Sequence, residues 1–257
     1  MAEPREQTLR IDDLDVFVKE VGEGPPLLLV HGFLVDHRDW DRMVPLLAPH
    51  FRCIAVDLPG FGRSGKPGPD TYDYSWQSYG ATLAAVLTEL RIDRAHVCGH
   101  SMGGGISLAL AADHPDRVDR LVVLDGASLP FSAPLKGKAL RIPILGKLMV
   151  TKLYGRALFR DYFENDVFNG GPGIDGDKLA DYYRIFDTKE ARECAYAASQ
   201  MALDPSPVAA RVPRIQTPTL VVWGSEDRVI PIEVGRRLTE ELPDATFKII
   251  DGAPHPI

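Results

Sequence analysis

Val97-Cys-Gly-His-Ser101-Met-Gly-Gly-Gly-Ile-Ser-Leu-Ala-Leu110 passes from a β-rich run into a helical one across a serine set between two glycines, Gly99-His100-Ser101-Met102-Gly103. A strand that turns sharply into a helix strains the turn residue, and side chains two positions before and after it would collide. Glycine at 99 and 103 is what such a turn requires. The first amides of the helix then face whatever the serine hydroxyl attacks, so Ser101 would supply a nucleophile and Met102 a backbone donor for developing negative charge. The five-residue string alone is a weak signal, and its surroundings decide its meaning.

Outward from it, strand and helix signals take turns. Upstream, Pro26-Leu-Leu-Leu-Val-His31 and Cys53-Ile-Ala-Val-Asp57 are continuous apolar runs of the kind buried on both faces of a parallel sheet. A short helical stretch from Trp40 to Leu47 separates them, and residues 74–90 follow with helical periodicity, Tyr79, Leu83, Val86, Leu87 and Leu90 on one side. Nearer the start, Thr8–Ile11 and Val16–Val21 alternate like an edge hairpin. Downstream come a helix over Ile106–Ala112 and a strand over Val118–Leu124. After Asp125 the alternation stops, and residues 129–213 read as helical segments broken by Pro143, Gly146 and Pro205-Ser-Pro207. It resumes with a strand at Thr219–Trp223, a helix at Ile232–Leu242 and a last strand at Thr246–Ile250. This order predicts an α/β fold: a mostly parallel central sheet flanked by helices, built from residues 1–128 and 214–257, with 129–213 inserted as a helical cap.

Composition allows one large core. Of 257 residues, 45% are hydrophobic and 25% charged, an ordinary globular balance, and the net charge of −7 gives no reason to expect a nucleic-acid partner. The first residues are charged, and no run approaches the ~18 apolar residues of a membrane span, so a cytoplasmic location is expected. Cys53, Cys98 and Cys194 are odd in number and read as reduced core residues. No spacing of Cys and His resembles a zinc site, and no glycine-rich nucleotide-binding string occurs. Neither metal nor cofactor is expected.

With this layout in place, the chain resembles an α/β-hydrolase with a helical cap over nearly its whole length. His31-Gly32-Phe33 ends the third strand as the family's oxyanion-loop motif does. Asp57-Leu-Pro-Gly-Phe-Gly-Arg-Ser64 is similar to its D-x-P-G-x-G-x-S loop, and Trp223-Gly-Ser-Glu-Asp227, followed by Pro231, resembles the segment that carries its acid. His255 lies just past the last strand, where the family keeps its catalytic histidine. The resemblance implies a triad of Ser101, Asp227 and His255, with the backbone N–H groups of Phe33 and Met102 as oxyanion hole. In that chemistry His255 takes the serine proton, Asp227 orients the imidazole, and the two amides hold the tetrahedral oxyanion. Asp125 is an alternative acid, because some relatives place theirs after the strand that follows the elbow. His31 is expected to brace the oxyanion loop, and His100 to pack behind the site. His37, His50, His96 and His114 have no motif support and read as loop, helix-end or surface residues, and Glu226 as a solvated turn residue. Pro254 stands where the family usually has glycine, Pro256 follows the histidine, and the sequence given ends at Ile257, where relatives continue into a helix. Either more chain follows or the histidine is loosely held.

The resemblance implies an enzyme, a serine hydrolase that cleaves small-molecule carboxylic esters through an acyl-enzyme. Three alternatives stay open: a carbon–carbon bond hydrolase of ring-cleavage products, a cofactor-free perhydrolase, and a slow or non-catalytic ligand receptor. Carbon–carbon hydrolases commonly carry Asn where His100 stands and Trp where Pro256 stands. Epoxide hydrolases and haloalkane dehalogenases are disfavoured, since their nucleophile is an aspartate. Between Leu129 and Arg160 the chain holds Lys136, Lys138, Arg141, Lys147, Lys152, Arg156 and Arg160 and no acid, among many apolar residues. Such a segment can lie on an anionic membrane surface or meet an acidic substrate. The favoured expectation is simpler: a lid whose apolar face lines the pocket and whose basic face is solvated.

Overall fold

Among the described residues, eight strands form one sheet in the order β1-β2-β4-β3-β5-β6-β7-β8. The structure, a computed structural model, describes residues 3–131, 139–170, 173 and 175–255. Strands β1 (Arg5–Ile11) and β2 (Leu14–Val21) make the expected antiparallel hairpin at one edge, and β2 joins β4 (Arg52–Val56) antiparallel. From there β3 (Pro26–Val30), β5 (Ala95–His100), β6 (Val118–Leu124), β7 (Thr219–Gly224) and β8 (Ala245–Ile250) continue in parallel. In register, Leu28 sits between Ile54 and Val97. All three are fully buried, because helices cover both faces of the sheet.

The stretch between β3 and β4 is a single 3₁₀ turn, His37–Trp40, and a short helix α1 (Val44–Leu47). Asp36 caps the turn by accepting the Arg38 N–H. On one face, Trp40 and Ala48 pack with Leu29, Cys53 and Cys98. On the other, α2 (Trp76–Glu89) and α3 (Met102–Asp113) bring Tyr79, Leu83 and Leu87 against Leu108 and Val97. A fully buried Leu stabilises by roughly 1.5–3 kcal/mol relative to exposure, so these rows fix the layers. All three cysteines are free and buried.

Between β6 and β7 the described chain is helical: α4 (Pro143–Leu148), a π turn (Met149–Leu153), α5 (Arg156–Asp161), a second π turn (Tyr162–Val167), α6 (Gly176–Phe186), α7 (Lys189–Ala202) and α8 (Ser206–Ala209). After β7, α9 (Ile232–Glu241) returns the chain to β8. The insertion has its own core, in which the rings of Phe159, Phe163 and Phe186 pack with centroids 5.0 and 5.5 Å apart. Arg38 ties it to the sheet, reaching Asp181 at 3.3 Å and lying over the Tyr182 ring.

One expectation fails here. Ile142, Ile144, Leu145, Leu148, Leu153 and Leu158 face solvent instead of lining a pocket. Only Gly146, Val150 and Phe159 turn inward from these short helices, and the space beneath is filled by aromatic residues from later in the insertion. Lys136, Lys138, Pro256 and Ile257 lie outside the described residues. Among those described, no helix is long and apolar enough to cross a membrane.

Candidate active site

Ser101 has φ 54° and ψ −119°, a region that non-glycine residues rarely occupy and that costs on the order of 1–3 kcal/mol. Packing on both sides enforces it. A Cβ at Gly99 would lie 2.3 Å from the Gly103 carbonyl oxygen, and one at Gly103 2.3 Å from that of Val30. The Ser101 N–H donates to the Leu124 carbonyl at 2.9 Å, and its own carbonyl accepts from Gly104 and Ala127 at 3.0 and 2.9 Å. The strained turn is therefore pinned to the end of β6 and the start of α3.

Three loops converge on the Ser101 hydroxyl. His255 Nε2 lies 2.8 Å from Oγ, and Nδ1 lies 2.7 Å from Asp227 Oδ2. The carboxylate accepts, so Nδ1 carries the proton and Nε2 is left to accept the serine O–H. Asp227 Oδ1 in turn accepts the N–H groups of Val229 and Ile230 at 2.7 and 2.8 Å, which fixes its rotamer. The histidine is also held by its backbone: its N–H donates to the Val167 carbonyl at 3.3 Å, and its carbonyl accepts from His100 Nε2 at 3.4 Å. Asn169 donates to the Glu226 carbonyl, next to Asp227. The insertion thus reaches the loops of both residues.

Asp125 lies beside this relay, next to Asp227, and makes no hydrogen bond to His255. It is buried with φ 46°, Oδ1 accepts the Gly224 N–H at 2.8 Å, and Oδ2 has no hydrogen-bond partner. Burial first, and then the charge of nearby Asp227, raise its carboxyl well above the ordinary carboxylate range. Of the two candidate acids, Asp227 is the one bonded to His255.

Gly32 lets the oxyanion loop approach the elbow, since a Cβ there would lie 3.2 Å from both Ser101 Cβ and His100 Nδ1. Phe33 follows it and packs partly buried against the core. Met102 opens α3, so its N–H has no acceptor within the helix. His31 braces the loop: one ring nitrogen reaches the Gly32 carbonyl at 2.7 Å, and the other accepts the Leu58 N–H at 3.0 Å.

His100 does more than pack. Its Nδ1 lies 3.0 Å from Asp39 Oδ2 and its Nε2 faces the His255 carbonyl, so both ring nitrogens meet acceptors. Burial opposes its charge, but the Asp39 carboxylate outweighs that and raises its pKa to about 9. This half-buried pair therefore links the 3₁₀ turn, the elbow and the histidine loop. No motif marks Asp39, and its role depends on a 3₁₀ turn the sequence does not announce. His37 departs further from its reading as a loop or surface residue. It is buried, and its N–H and ring Nδ1 reach Asp57 Oδ1 at 2.6 and 2.8 Å. Asp57 also accepts the Arg63 N–H at 2.7 Å, so the Asp57–Ser64 motif serves as a brace behind the site.

A cleft enclosing about 390 Å³, open solvent included, lies over Ser101 and His255. Phe33, Tyr162, Phe163, Val167 and Phe168 give it an apolar wall, and Asp39 and His100 a polar end. Among the described residues, two buried groups have ligand-type atoms close enough for a metal, His100–Asp125–His255 and Asp36–His37–Asp57. In the first, His255 has both nitrogens engaged. In the second, Asp36 holds the Arg38 guanidinium at 2.7 Å, a cation already in place.

The sequence model of the alpha/beta hydrolase fold matches residues 25–206, from β3 through the elbow and the insertion. The chain belongs to this family. Among its relatives, this α/β-hydrolase is 29% identical over 233 residues to the uncharacterized hydrolase YugF of Bacillus subtilis, covering 89% of this chain and 82% of that one. It is also 29% identical over 256 residues to a 2-hydroxy-6-oxo-2,4-heptadienoate hydrolase of Pseudomonas putida, covering 94% and 86%. A crystal structure of a membrane phospholipase A superposes with TM-score 0.77 at 27% identity, over 98% of this chain and 80% of that one. A hydrolase of this fold is the level at which these likenesses agree.

Proposed function

We propose that this α/β-hydrolase cleaves carboxylic esters of small molecules through an acyl-enzyme on Ser101. The observation that carries the reading is the continuous relay from Asp227 to His255 to the Ser101 hydroxyl, at 2.7 and 2.8 Å. Ser101 Oγ attacks the ester carbonyl carbon while His255 Nε2 takes its proton. The carbonyl oxygen becomes an oxyanion held by the N–H groups of Phe33 and Met102, where losing one donor typically costs ~3 kcal/mol or more. Collapse breaks the bond to the alcohol, which leaves with the proton from His255. Water then attacks the acyl carbon with His255 again as base, releasing the acid and restoring Ser101. Asp227 stabilises the imidazolium in both halves. Residues 129–213 act as a cap over the core of 1–128 and 214–257, supplying the cleft wall at Tyr162, Phe163, Val167 and Phe168.

A second reading, hydrolysis of a carbon–carbon bond in a ring-cleavage product, is favoured by the name of the Pseudomonas putida relative. It uses the same serine and differs in the leaving group. A panel of p-nitrophenyl esters of increasing chain length, run beside a ring-cleavage dienoate, separates the two by which substrate turns over. An organophosphonate should label Ser101 alone, and Ser101→Ala should abolish turnover with little change in melting. Label on another residue, or undiminished turnover in the alanine variant, would overturn the triad.

A further inference from the structure

The segment from Arg141 to Arg160 has two distinct sides. Inward, Val150 and Phe159 enter the aromatic core of the insertion, and the underside is tied to α7 through Gln200 to the Leu140 carbonyl, Tyr196 to that of Pro143 and Arg192 to that of Val150. Outward, Ile144 is 86% exposed, with Ile142, Leu148, Leu153 and Leu158 each near half. Ile144, Leu145 and Leu148 stand at helical spacing on one side of α4, so this is a shared face and not scattered side chains. Arg141, Lys147, Lys152 and Arg156 are exposed among them, and Arg160 is exposed as well but lies 3.8 Å from the Glu164 carboxylate. No carboxylate interrupts the stretch from Gly126 to Arg160, in a chain whose net charge is −7.

A fixed, solvent-facing apolar patch with a cationic rim needs a cover that is apolar inside and anionic at its surface. We infer that this face docks on an anionic phospholipid bilayer, with Ile144 and Leu148 entering the boundary between headgroups and acyl chains while the lysines and arginines meet phosphate. A second copy of the chain is a poorer cover, because a twofold pairing would set the same basic rim against itself. The acidic remainder of the molecule is repelled by such a surface, which leaves this face as the one that docks.

The test needs no turnover and so stands apart from the ester reading. The full chain is floated with vesicles of phosphatidylglycerol and phosphatidylcholine, and with phosphatidylcholine alone, at low and high salt. Binding to the anionic vesicles alone, weakened by salt, is expected. Ile144→Glu with Leu148→Glu should abolish it, and each of Lys147→Gln and Lys152→Gln should weaken it about fivefold. Melting curves should match the wild type, since all four side chains are exposed. Equal binding to neutral vesicles, no binding to either, or wild-type binding by the double glutamate variant would each overturn the proposal. A lipid-free dimer that the glutamates dissolve would assign the face to a second copy instead.

Discussion

Two carboxylates end neighbouring strands at this site, and only one touches the histidine. Asp227 bonds to His255 and is held by two backbone amides, whereas Asp125 holds the Gly224 amide, and burial and the charge of Asp227 push its carboxyl above the ordinary range. Asp227→Asn should therefore lower kcat by about 10⁴, the scale seen when a triad acid is neutralised. Asp125→Asn keeps a carbonyl oxygen for the Gly224 amide and touches no bond of His255, so it should leave kcat nearly unchanged; the opposite ranking in steady-state kinetics would move the acid to Asp125. The Asp39–His100 pair gives a signature in pH. Because the folded pKa of His100, about 9, lies above its ordinary 6.5, the folded state holds this proton more tightly. Its contribution to stability is complete below about 6.5 and is lost as pH rises through about 9. Asp39→Asn removes the carboxylate that holds the proton, so the decline across that window should shrink in denaturation curves taken over the range. An unchanged decline would mean that another group causes it.

At the scale of elements, the turn between β5 and α3 is set by contacts rather than by its own residues' preferences. Gly103→Ala would place a methyl 2.3 Å from the Val30 carbonyl oxygen at the end of β3 and 2.5 Å from that of His31, which begins the oxyanion loop. Neither can move without disturbing the ladder or that loop. A loss of stability of ~1–3 kcal/mol or more is expected, with a lower Tm and lost activity, since the same shift displaces the oxyanion loop. An alanine variant that melts and turns over like the wild type would show the turn to be less tightly clamped than these contacts imply. This turn was legible in the sequence because a strand that bends so sharply into a helix leaves no room for a side chain at 99 or 103. The 3₁₀ turn carrying Asp39 was not, since an aspartate such as Asp36, which caps it, suits an ordinary loop turn equally well.

For the whole molecule, the cleft's shape comes from segments far apart in sequence: Phe33 after β3, and Tyr162, Phe163, Val167 and Phe168 from the insertion. If the acyl group lies along that wall, each added methylene should strengthen binding by ~0.8 kcal/mol until the cleft is full. KM across the ester series should fall stepwise and then level off; a flat series would put the acyl group elsewhere. The alternation of apolar runs and helical periods determined which segments become the strands of a parallel sheet, because burial on both faces leaves an unmistakable pattern. Glycine spacing likewise marked Ser101, since a sharp turn constrains residue type locally, whereas Asp227 and His255 came only with the family resemblance, which left Asp125 open as the acid because two strand ends each offer a carboxylate. Which way the insertion's apolar residues face was not so determined. A stretch of Leu, Ile and Lys reads the same whether its apolar side points in or out, and only the tertiary packing of Val150 and Phe159 beneath it leaves Ile144 and Leu148 in solvent. The link from Asp39 through His100 to His255 was equally out of reach, because its partners lie 61 and 155 residues apart and meet only once the sheet has brought three loops to one end.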